Sequence, residues 1–135
     1  MRIAYFCFIA AAVAALAGMS LGIWMGMHED FTLAPVHAHI NLLGWVTLCL
    51  YGLYHRGVAR ASNRLAWTQV GVAALGVPVL TGGLAAYLGA GYHAAGFIIA
   101  GSLCVIGGMA LFLAVLVADL RAATRTAPSL RAAHA

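Results

Sequence analysis

Apolar residues fall into four long runs with short polar breaks between them. The runs cover about residues 3–27, 36–54, 65–88 and 94–120. Each is close to or above the roughly 20 residues that an α-helix needs to cross a bilayer. In lipid the backbone must satisfy its own polar groups, which a helix does unaided. The pattern predicts an all-α fold, a polytopic membrane protein built as a bundle of four transmembrane helices. Residues 1–120 form its one domain, and residues 121–135 form a mobile basic tail.

The breaks carry the polar chemistry. The first, Met27 to Pro35, holds Glu29 and Asp30, and Pro35 is suited to start a helix because it has no N–H to leave unpaired. The second, His55 to Arg64, carries Arg56, Arg60 and Arg64. The third, Gly89 to His93, is short. Pro78 falls inside the third run, where it frees a carbonyl that neighbouring helices must tolerate. The first run contains Gly18, Gly22 and Gly26, a spacing that lets helix backbones approach closely in lipid. Ordinary packing within the chain is the leading reading of that stripe, with a subunit contact as the other. Arg2 and Ala15-Leu16-Ala17 resemble a signal peptide and its cleavage site, but the apolar run continues beyond them, which favours a retained helix.

Composition agrees. Of 135 residues, 64% are hydrophobic and only 7% charged, with mean hydropathy +0.99; soluble domains carry about 25% charged residues. The formal charge of +4 does not mark a nucleic-acid binder, because no basic stripe is interleaved with aromatics. All seven basic residues are arginines. They lie at Arg2, in the second break and in the tail (Arg121, Arg125, Arg131). By the positive-inside rule both termini face the cytoplasm of a bacterial-type inner (plasma) membrane.

This topology sorts the histidines. His28, His37, His39 and His93 belong to the outer ends of the spans, and His55 and His134 to the inner side. Histidine is the commonest metal ligand, and ionisable groups in a span default to a functional role. His37 and His39 point about 200° apart on a helix, so they do not chelate one ion from a regular turn. His37 aligns with Asn41, Gly44, Tyr51 and His55, a polar, small-residue stripe expected to face the bundle. His39 aligns with Leu43, Val46, Leu50 and Leu53, an apolar face. A ligating imidazole needs a partner for its other nitrogen, and Asn41, Glu29 and Asp30 are candidates.

The stretch Pro35-Val36-His37-Ala38-His39, followed by Ile40-Asn41-Leu42-Leu43-Gly44-Trp45, resembles the second helix of subunit I in haem–copper oxidases and nitric oxide reductases, the cbb type most of all. It is similar also to the His-Ala-His helix of NnrS-family membrane proteins. The likeness covers about residues 35–54. It implies a low-spin haem b near the outer face, with His37 as the matching ligand and His39 as the second histidine of the His-x-His form. Asn41 and Trp45 fall within the matched stretch. There is no His-Pro-Glu-Val element, no adjacent histidine pair and no outer arginine pair, so no binuclear oxygen- or nitric-oxide-reducing centre is implied. The family's catalytic subunit arranges its helices in three similar arcs of four. A four-helix chain would be one arc, which makes a homo-oligomer, a trimer for instance, the expected assembly by analogy of fold.

A second axial ligand is then needed. His93, at the same depth, is the expected partner of His37, and His39 can replace either. The function implied is electron transfer or gas binding, with a redox partner in the first case. The alternative is a copper site from His28 with Met19, Met25 and Met27, since thioether and imidazole suit Cu(I), or a non-redox structural module. Cys7, Cys49 and Cys104 form no Cys-x-x-Cys pair and read as small buried hydrophobes. Asp119 reads as pairing with an arginine such as Arg121, or as snorkelling to the interface.

Overall fold

A computed structural model describes residues 2–58, 63–90 and 92–132, with side chains as far as residue 125. Its elements are α1 (Arg2–His28), α2 (Ala34–Gly57), α3 (Asn63–Ala90), a 3₁₀ turn (Tyr92–Ala94) and α4 (Ala95–Ala132). All four long helices are of a length and hydropathy to cross a membrane, so the chain is an all-α, multi-pass membrane protein. Ile9, Val13 and Leu16 on α1, and Leu103, Ile106 and Leu113 on α4, are 61–66% exposed. Such a surface is stable only when lipid is the solvent.

The helices pair as two antiparallel hairpins. In the α1–α2 hairpin, glycines set the spacing. A Cβ on Gly18 would meet Asn41, one on Gly22 would meet His37, and one on Gly44 would meet Ala14. The Gly18/Gly22 stripe thus packs within the chain, while a Cβ on Gly26 would meet nothing. The α3–α4 hairpin has a denser seam. Gly76 and Gly83 receive Cys104, Val105 and Phe97, and Gly101 and Gly108 receive Leu80 and Ala73. At Gly101 the opposing atoms are backbone atoms of Leu80, so only a residue without a side chain fits there.

The hairpins meet at both ends: residues 34–39 of α2 pack on α3 at one, and aromatic side chains meet at the other. Phe6 of α1 lies against Trp67 of α3, with ring centroids 5.7 Å apart, and Tyr51 of α2 lies against Phe112 of α4 at 4.7 Å. The buried cluster of Ile3, Cys7, Ala11, Leu48, Tyr51, Ala66, Val70 and Ala73 lies toward this end. Arg2, Arg56, Arg64, Arg121 and Arg125 gather here, and His28, His37, His39 and His93 at the other end. Arg60 and His134 lie outside the described residues.

Two local features shape the histidine end. At the end of α1, the Asp30 N–H donates to the Met25 carbonyl (3.2 Å), with Glu29 at φ 53°. This is a Schellman-type stop in which a left-handed position normally given to glycine is held by Glu29. The Asp30 carboxylate then accepts from the Thr32 N–H at 3.0 Å. Hydrogen bonds from the Thr32 hydroxyl and N–H hold the Asp30 carboxyl below the usual carboxylate range, His28 adding a smaller pull. Pro35 falls in the first turn of α2, as its missing N–H favours.

Within α2, Ile40–Thr47 forms a π-helix, and the Thr47 hydroxyl donates to the Leu42 carbonyl at 2.8 Å. In α3, the helix continues through Pro78, and the Thr81 hydroxyl donates to the Val77 carbonyl at 2.9 Å. The helix α4 runs past residue 120, on to Ala132. Alanines and arginines are strong helix formers, so the helix outlasts its apolar stretch.

Candidate functional site

Three of the four histidines at the turn end share one arrangement. His28 donates from Nδ1 to the Trp24 carbonyl (2.8 Å), His37 to the Gly18 carbonyl (2.8 Å) and His39 to the Pro35 carbonyl (2.7 Å). A carbonyl can only accept, so each Nδ1 carries a proton, and in the neutral imidazole each Nε2 presents a lone pair. This is the tautomer of an Nε2-ligating imidazole. The Nδ1 anchors are backbone carbonyls rather than Glu29 or Asp30, while the expected Asn41 does meet the His37 ring through its amide nitrogen.

Their surroundings differ. His37 is part-buried in the cradle that Gly22 leaves on α1, and the Asn41 amide lies along its ring, Nδ2 being 3.4 Å from Nε2. Asn41 also donates to the His37 carbonyl at 2.9 Å. His37 and Asn41 therefore lock α2 to α1. His39 stands on the outward row of α2, where Val46, Leu50 and Leu53 are exposed. Among the described residues, its Nε2 has no partner. Trp45, 45% exposed, lies on the π stretch. His28 is exposed and stacks on Trp24 with centroids 4.7 Å apart.

His93 is exposed on the 3₁₀ turn. Residues 34–39 pack on α1 and α3, whereas the turn packs on α3 and α4. No group of three or more His, Cys, Asp or Glu side chains that could hold a metal ion occurs among the described residues. The methionines diverge as well: Met25 is buried, while Met19 and Met27 are exposed.

An apolar cavity of about 450 Å³ opens between α1, α2 and α3, with Ala10, Ala14, Gly44, Pro78 and Thr81 in its wall. No histidine lines it, so the imidazoles lie outside it.

A second polar constellation sits at the arginine end. The Tyr54 hydroxyl donates to Asp119 Oδ2 at 3.0 Å, and His55 Nε2 donates to Gln69 Oε1 at 3.0 Å. His55, Gln69 and Asp119 are 2%, 0% and 6% exposed. The Tyr51 hydroxyl donates to Met109 Sδ at 3.7 Å, and Phe112 packs edge-on to Tyr54. Asp119 meets Tyr54 here, while Arg121 is exposed. The stripe read from His37 to His55 thus divides: His37 and Asn41 turn to α1, whereas Tyr51, Tyr54 and His55 turn to α3 and α4. Gln69 drew no notice in the sequence. Its signal is an amide at the start of an apolar run, shortly after Arg64.

No family model matches the sequence, and no curated protein or solved structure matches it.

Proposed function

We propose that this is a haem b-binding membrane protein with a low-spin, histidine-ligated haem at its histidine end. The observation that carries the reading is His39. It holds an Nε2 lone pair without a described partner, on an apolar, outward row, with Nδ1–H anchored to a carbonyl. An unpaired polar nitrogen in lipid is costly, and axial ligation at an apolar macrocycle removes that cost. When bound, haem supplies one-electron transfer or a coordination position for a gas.

The chain's own residues then have distinct tasks. His39 ligates, the Pro35 carbonyl fixes its tautomer, and His37 with Asn41 holds the start of α2 against α1. The outward direction of His39 suits a haem held at a junction between copies, where His93 or a second His39 would supply the other imidazole. The histidine end faces outward and the arginine end the cytoplasm, by the distribution of arginine.

The test is an absorption spectrum of detergent-purified protein from haem-replete cells, oxidised and dithionite-reduced. A sharp reduced α band is expected, lost in His39→Ala and kept when only His28 is replaced. A colourless protein ends the haem reading. Binding of Cu(I) by that colourless protein, lost in His28→Ala, would put copper in its place.

A further inference from the structure

We propose that Asp119 and Tyr54 form a proton-binding site inside the bilayer, exchanging one proton with the arginine-bearing face. The inference is independent of haem binding. Asp119 is the only acid outside the first loop. A carboxylate in a span is costly and is kept where it has a task. Here Tyr54 of α2 reaches Asp119 of α4, and beside Tyr54 the ring of His55 bonds Gln69 of α3.

A second observation is independent of the acid. Gln69 is fully buried, and its carbonyl oxygen is engaged by His55. A polar side chain kept at 0% exposure inside a span is costly, and it marks this interior as one that holds polar groups and not apolar packing alone.

The chemistry is reversible protonation. With Asp119 ionised, the Tyr54 O–H donates to Oδ2, the bond observed. With Asp119 protonated, its carboxyl can itself donate an O–H, and the bond to Tyr54 loses its charge assistance. The proton comes from and returns to water, and no electron moves. The titratable and charged groups about the site are Cys7 of α1, Tyr51, Tyr54, His55 and Arg56 of α2, Arg64 of α3, and Arg121 and Arg125 of α4. All four of these arginines are exposed. Beyond Tyr51 and Cys7 the core turns apolar through Leu48, Val70 and Ala73. The site therefore loads and unloads at one face.

The experiment is infrared spectroscopy of the full chain in phosphatidylcholine vesicles, with ¹³C-aspartate labelling in an Asp30→Asn background. Asp119 is then the only labelled carboxyl. The proposal expects a protonated-carboxyl band that appears and disappears reversibly as the buffer pH is stepped through the range in which the chain stays folded, and that moves to higher wavenumber in Tyr54→Phe. The phenylalanine keeps the ring against Phe112, so this variant retains its packing. A label that stays in one protonation state across that range overturns the proposal. So does a band unmoved by Tyr54→Phe.

Discussion

At Gly101 a single hydrogen in place of a methyl group decides whether two helices can touch. The nearest atoms across the seam belong to the Leu80 backbone, which cannot swing aside as a side-chain tip can. Gly101→Val should cost about 1–3 kcal/mol of stability in detergent, as overpacking does. Gly96→Val, where a Cβ meets nothing within 4 Å, should cost far less. Equal melting shifts for the two would show that the seam does not govern the hairpin. The Gly18/Gly22 contact was legible because its four-residue spacing is a recognised pattern. The seven-residue pairs Gly76/Gly83 and Gly101/Gly108 were not singled out, because a chain with 16 glycines offers many such pairs and only the partner helix distinguishes them. The carbonyl anchors of the histidines were hidden for a related reason. Side-chain acceptors are visible in a sequence, but a carbonyl four residues back, or one laid bare beside a glycine, is not.

At the scale of one element, the turn between α1 and α2 makes a prediction in acid. The Thr32 hydroxyl and N–H favour the charged Asp30 carboxylate, so its folded-state pKa lies below the unfolded one. That contribution is present above the ordinary carboxylate range and is lost as pH falls through the lowered pKa. Thr32→Val removes the hydroxyl but keeps the N–H. Carbon-13 NMR should then show the Asp30 midpoint rising partway toward its ordinary value. An unmoved midpoint would assign the effect to the backbone and His28. Within α2 the sequence showed the helix but not its π stretch. Nothing in Ile40–Thr47 departs from an apolar helical pattern, and the wide turn shows only in the i→i−5 reach of Thr47 to Leu42. The length of α4 was hidden differently, since hydropathy marks where lipid ends and not where the helix does.

The whole molecule was the most legible, because four apolar runs and three breaks leave little freedom. What the sequence could not show was that α4 approaches α2 through Tyr51, Tyr54, Phe112 and Asp119. The orientation is checked by placing a lone cysteine at Glu29, with Cys7, Cys49 and Cys104 replaced by alanine. In intact cells an impermeant thiol reagent should label it, and should miss a cysteine at Arg125. The reverse pattern would invert the molecule. Assembly is checked by the detergent-corrected mass, which should be a multiple of one chain. A monomer carrying a six-coordinate haem would move the second ligand back within the chain.

The glycine seam has a consequence for how the protein is made. With α3 and α4 bound by backbone-close contact along their length, that hairpin should become stable as soon as its second helix leaves the ribosome. The first pair needs only its own interlock of Gly18 and Gly22 with Asn41 and His37. Biosynthesis then reduces to docking two finished halves. A gene cut between the codons for residues 58 and 63 should still yield the assembled protein when both fragments are expressed together.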